Sequence, residues 1–151
     1  MTNVLVLQRE SHVARGVLSL SVVARITEAL DYLQDLNKIE YIVISEKDTI
    51  AMNAILWCDV MILSKHSSTD VLDLVKYANK NDVVVIYDVD DWIFSFPTYS
   101  AAQGQEKKLG LIKEIMSLSD HVTVANKGLL TSIGEFCKKQ VYVPNGMYVE
   151  K

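Results

Sequence analysis

The sequence predicts an α/β fold: a doubly wound, mainly parallel sheet of about six strands, covered by helices in a three-layer arrangement. Three observations predict it. Short unbroken runs of Val, Ile and Leu recur along the chain, and such runs mark strands buried on both faces. Segments of helical period separate them, as parallel neighbours require. The length, 151 residues, is that of one domain, and a composition 50% hydrophobic and 23% charged supports a single core spanning 1–151.

The elements follow in order. Residues 3–8 (NVLVLQ) read as the first strand. Residues 19–36 read as a helix, with Val22, Ile26, Ala29, Leu30, Leu33 and Leu36 on one stripe. Residues 41–45 (YIVIS) give a second strand, 48–56 a short helix and 59–64 (DVMILS) a third strand. Ser67 or Ser68 can cap the next helix, Asp70 suits its first turn, and Val71, Leu74, Val75 and Ala78 form its apolar face. Residues 83–88 (VVVIYD) are the fourth strand, followed by a polar and aromatic loop from Val89 to about Gly104. A helix over 105–118 turns Leu109, Ile112, Ile115 and Met116 inward. Residues 121–126 (HVTVAN) form a fifth strand, 127–139 a helix and 141–143 a short sixth strand before Pro144-Asn145-Gly146. This is a Rossmann-like sheet, and in such sheets ligands bind beyond the carboxyl ends of the strands.

Composition excludes several classes. The net charge is −4 with no basic run, which argues against a nucleic-acid partner. No apolar stretch approaches the ~20 residues of a membrane span. Met1-Thr2-Asn3-Val4 does not lead from a basic region into an apolar one, so the expectation is a cytoplasmic chain. Cys58 and Cys137 lack metal-ligand spacing and read as small core residues.

The strongest chemical signal is Asp88-Val89-Asp90-Asp91-Trp92, with three carboxylates at the end of a buried strand. Crowded carboxylates repel, so one is driven neutral unless a cation or donor sits among them. They suit general-base work, a grip on sugar hydroxyls, or Mg²⁺. An ordinary acidic capping loop is the plainer alternative. Trp92, Phe94, Phe96 and Tyr99 follow in the same loop. Trp92 and Tyr99 could stack on a sugar face, whereas Phe94 and Phe96 fit better as anchors on the core.

The first strand–helix turn carries Arg9, Glu10, Ser11, His12, Arg15 and Gly16. A dinucleotide site would need G-x-G-x-x-G there, and Gly16 is the only glycine, so a dehydrogenase is disfavoured. Arg9, Glu10, His12 and Arg15 are instead candidate contacts to an acceptor or a second domain. His66 could meet an anion at a helix start or belong to a plain capping loop. His121, opening a strand, reads as structural. No nucleophile elbow, H-E-x-x-H or P-loop is present.

Three stretches together carry a resemblance. Tyr87-Asp88-Val89-Asp90-Asp91, Ser119-Asp120-His121-Val122-Thr123-Val124-Ala125-Asn126 and Val141-Tyr142-Val143-Pro144-Asn145-Gly146 resemble, in order and spacing, the N-terminal domain of GT-B-fold glycosyltransferases of the group-1, family-4-like class. The likeness covers essentially the whole chain. It implies an acceptor-binding domain whose partner, a C-terminal domain, binds the nucleotide-sugar donor. Asp88, Asp90 and Asp91 would then face the cleft as catalytic acids. Arg9 to Gly16 would line the first loop, and Asn145 and Gly146 would form the hinge.

The acceptor would be a glycan, a lipid-linked glycan or a protein, with peripheral contact to the inner face of a membrane allowed. No tightly bound cofactor or metal site is implied, and Mg²⁺ is compatible but not essential. The chain would be the acceptor half alone, without turnover by itself. It departs from the family at two places. The first loop lacks a glycine pair, which weakens the case for donor-phosphate contact. Tyr87-Asp88 stands where many members have His-Asp or His-Glu, which weakens the case for a catalytic histidine.

Two other classes compete. A haloacid dehalogenase-type phosphatase also carries D-x-D after a strand, as in Asp88-Val89-Asp90, but Trp92 stands where Thr or Val is expected, and the later strand ends offer only Asn126 and Asn145. A flavodoxin- or receiver-like binding domain could use Lys127, yet its acids would lie nearer the first strand.

Overall fold

The computed structural model describes residues 1–9, 22–91 and 108–145. They form an α/β domain on a six-stranded, all-parallel sheet in the order β2-β1-β3-β4-β5-β6, flanked by five helices. The strands are β1 (Thr2–Gln8), β2 (Ile39–Ser45), β3 (Val60–Ser64), β4 (Val84–Val89), β5 (His121–Val124) and β6 (Gln140–Tyr142). The helices are α1 (Glu28–Asp35), α2 (Ala51–Trp57), α3 (Thr69–Lys80), α4 (Leu109–Leu118) and α5 (Lys127–Ile133). No described helix is long and apolar enough to cross a membrane.

Side chains alternate across each strand, so the sheet has two distinct faces. One presents Leu5, Leu7, Met61, Leu63, Val85, Tyr87, Val122 and Val124, packed against α2 to α5 through residues such as Ile55, Val75, Ile115 and Ile133. The other presents Val4 and Val6 against Ile26 and Leu30, with Tyr41, Val43, Val60 and Ile62 half-buried around them. Cys58 is buried in the larger core and Cys137 packs at its margin, as their apolar contexts predict. Burial pushes both thiols up, Cys58 to about 11, so neither is a ready nucleophile.

Local chemistry explains the boundaries. Ser68 caps α3 by accepting the Val71 N–H at 3.3 Å, with Asp70 in the first turn and Lys80 in the last. Asn126 ends the fifth-strand segment early because it caps α5, accepting the Leu129 N–H at 3.1 Å. The helix expected to run to 139 stops at Ile133 and tightens into a 3₁₀ turn, Gly134–Phe136. The helix before β2 is also irregular. It passes through a π-turn, Val23–Thr27, before continuing as α1. There the Val23 carbonyl accepts the Glu28 N–H five residues on, and the buried Thr27 hydroxyl donates to the same carbonyl at 3.3 Å.

Candidate functional site

The strand order reverses between β1 and β3, and the crevice beyond their carboxyl ends is where such sheets bind ligands. Arg9, just past β1, spans this point by donating from Nη1 to the Lys65 carbonyl at 3.3 Å, just past β3. Lys65 is left-handed, with φ 54°, an uncommon state for a residue with a Cβ. Its N–H reaches the Asp88 carbonyl at 3.3 Å, and its Nζ lies 2.7 Å from Asp90 and 3.8 Å from Asp91.

The register sets Ser64, Asp88 and Thr123 side by side across β3, β4 and β5. Asp88 therefore points to the face with the smaller core, where Arg25 of the π-turn meets it. Arg25 Nε donates to Asp88 Oδ2 at 3.0 Å and Nη2 to Oδ1 at 2.7 Å. The two side chains are only 3% and 6% exposed. Thr123 Oγ1 donates to Asp88 Oδ1 at 2.6 Å. The remaining Arg25 donor, Nη1, reaches the Val143 carbonyl at 3.1 Å and the Asn145 side-chain oxygen. One guanidinium thus joins the end of β4 to the segment beyond β6. Hydrogen bonding to Asp88 raises the Arg25 pKa above its ordinary value, against the opposing effect of burial; the charges of Asp88 and Asp90 add to the rise.

The acids have unlike environments. Asp88 has both oxygens engaged and holds Arg25 in place. Asp90 is mostly buried beside Lys65, with its side chain 11% exposed, while Asp91 is 78% exposed. Among the described residues no group of three or more His, Cys, Asp or Glu side chains could hold a metal ion. Protein cations meet the clustered acids instead.

His66 is fully buried and supports the loop from within. Its Nδ1 accepts the Ser64 N–H at 3.1 Å, so the ring proton sits on Nε2. Its carbonyl accepts the Tyr87 hydroxyl at 2.8 Å. Burial, reinforced by the charge of Arg9, lowers its pKa to about 3, and the ring is neutral over the ordinary range. Its placement moves His66 from acceptor contact to loop support. Burial also raises the Tyr87 hydroxyl above its usual pKa.

Of the sequence candidates, Arg9, Asp88, Asp90, Asp91 and Asn145 come together along this edge. Glu10, His12, Arg15, Trp92, Tyr99 and Gly146 lie outside the described residues, as do Gly16, Phe94 and Phe96. Sequence reasoning missed Arg25, Lys65 and Thr123. Arg25 left a signal: it is three residues after Val22 and four before Ala29, on the apolar stripe, where a charge needs a partner. No family model matches the chain, and no curated protein is significantly similar to it.

Proposed function

We propose that the chain is the acceptor-binding half of a glycosyltransferase, working with a second domain that holds a nucleotide-sugar. The carrying observation is the Arg25 link: it fixes Asp88 and the Val143–Asn145 segment as one unit, next to the strand ends where an acceptor would lie. A cleft enzyme needs its hinge and its acceptor edge to keep register, and a buried bidentate pair supplies that rigidity. The ordered resemblance of three sequence stretches supplies the reaction class.

The residues divide the work. Asp91 offers a solvated carboxylate to acceptor hydroxyls, and Asp90 with Lys65 offers a paired acceptor and donor beside it. Asp88 positions Arg25 rather than attacking, because both its oxygens are held. This also disfavours a phosphatase using Asp88 as nucleophile, which needs a free oxygen. The donor sugar would come from the second domain, so these residues alone give no turnover.

The test is an amide NMR titration of the full chain with oligosaccharides, short-chain analogues of lipid-linked glycans and glycopeptides. Saturable shifts at Lys65, Asp90, Asp91 and Asn145, lost in the Asp90→Asn/Asp91→Asn variant with the remaining spectrum unchanged, are expected. Absence of saturable shifts with all three acceptor classes, or shifts confined to the opposite edge of the sheet, overturns the reading.

A further inference from the structure

The segment leaving the sheet beyond β6 sets a chemically labile dipeptide against a fixed cation. Asn145 is followed by Gly146, and it is the only asparagine in the sequence with glycine after it. The other asparagines precede Val, Lys, Ala or Asp, whose side chains crowd the following backbone nitrogen. Glycine has no side chain to block that nitrogen, and its backbone is the freest of any residue.

Backbone and side-chain bonds fix where the Asn145 amide sits. The Val143 N–H bonds the Val124 carbonyl at 2.9 Å, which holds the chain to β5 up to that residue. Arg25 Nη1 donates to the Val143 carbonyl at 3.1 Å and to the side-chain oxygen of Asn145. The guanidinium is itself anchored, because Nε and Nη2 hold Asp88 at 3.0 and 2.7 Å. Asn145 is exposed, so water reaches its amide. The bond from Arg25 is to the oxygen; attack at Cγ and departure of Nδ2 leave it in place.

We propose that Asn145 is a spontaneous modification site whose product carboxylate is held by Arg25. The Gly146 backbone nitrogen bonds to Asn145 Cγ, and the Cγ–Nδ2 bond breaks. The departing nitrogen takes the proton of the Gly146 N–H and leaves as ammonia. The cyclic imide then adds water. Opening at the side-chain carbonyl leaves an aspartate, and opening at the main-chain carbonyl leaves an isoaspartate. Either product puts a carboxylate at position 145, where a neutral amide stood, and water is the only co-reactant.

The aspartyl product keeps an oxygen where the amide oxygen was, so the same Nη1 donor meets an anion. A charge-assisted bond of this kind is shorter and about twice as strong as one between neutral groups. Arg25 is then shared by two carboxylates, Asp88 on the sheet and the new one on the departing chain. Asp88 keeps the Thr123 hydroxyl, a donor that does not depend on Arg25. The joint between the end of β4 and the segment beyond β6 thus ages from a hydrogen bond to an ion pair. This chemistry needs no acceptor and stands apart from the glycosyltransferase reading.

Prolonged incubation of the full chain at mildly alkaline pH, followed by peptide mass mapping, tests the conversion. A gain of about 1 Da in the peptide carrying residue 145 is expected, about tenfold faster than at any other asparagine. Gly146→Val crowds the attacking nitrogen, and Asn145→Gln forms its ring far more slowly; each should suppress the gain with circular dichroism unchanged. Capture is read by NMR. Asn145→Asp should move the Arg25 Nε–H and Thr123 amide signals, and the aged chain should reproduce the shift. Asn53→Asp, which adds the same charge on exposed α2 across the sheet, should leave both in place. Conversion at residue 145 no faster than elsewhere, undiminished conversion in Gly146→Val, or a carboxylate at 145 that leaves both signals unmoved overturns the proposal.

Discussion

The two faces of the sheet solve different problems. The face covered by α2 to α5 is a continuous apolar core from Leu5 to Ile133, and most of its members are essentially inaccessible to solvent. The face under α1 has a small apolar centre of Val4, Val6, Ile26 and Leu30, and along β4 and β5 it passes into Asp88, Thr123 and Arg25. The first face lowers the free energy of the fold through area removed from water. The second places a charged pair where the surrounding framework is already secured. A buried ion pair adds little net stability over an apolar replacement, but it is costly to break. Such a pair therefore reads as a device for geometry.

Four experiments break or sharpen this contrast. Leu63→Ala opens a cavity in the larger core and should cost about 4 kcal/mol in urea unfolding, with the Asp90 and Asp91 amide environments unchanged in the folded protein. Arg25→Ala strands Asp88 in a buried position and should cost about 3 kcal/mol, while shifting the Thr123 and Asn145 amides; Arg25→Lys keeps the charge and should recover only part of the loss. If Arg25→Ala were neutral, the second face would be as plastic as an ordinary surface.

His66 gives the third. Its folded pKa, about 3, lies below the ordinary value of 6.5, so the unfolded chain takes a proton that the folded chain refuses. No penalty exists above pH 6.5. Below it, stability should fall by up to about 1.4 kcal/mol per pH unit towards pH 3. His66→Gln should flatten that part of the profile, read as urea midpoints from pH 7 to 4. Thr123→Val is the smallest step, removing one donor to Asp88 at nearly constant shape, and should cost about 1 kcal/mol.

The sheet was legible because its evidence is local: runs such as VVVIYD can be buried on both sides only within a parallel array. The helix caps at Ser68 and Asn126 are equally local, although Asn126 closes the run HVTVAN and so also fits the end of a strand. The acidic cluster was visible at the end of β4, but the different settings of its members were not. Asp88, Asp90 and Asp91 are near neighbours in sequence, and only the register with Thr123 and the approach of Arg25 separate the engaged acid from the solvated one. Arg25 lies 63 residues from Asp88 and 120 from Asn145, distances that no motif spans. Lys65 was hidden because its role depends on a left-handed backbone, for which Lys carries no sequence signal.

The π-turn at Val23–Thr27 has a consequence for how this chain could vary. Each residue of an ordinary helix advances about 100° around its axis. Removing one residue from the widened turn would restore regular winding and swing the guanidinium away from its carboxylate, with the chemistry of every side chain intact. Substitutions in this stretch that spare Arg25 can be gradual in their effect, whereas a single-codon deletion would uncouple the two ends that Arg25 ties together. There the number of residues matters alongside the identity of Arg25, because it sets where the guanidinium points.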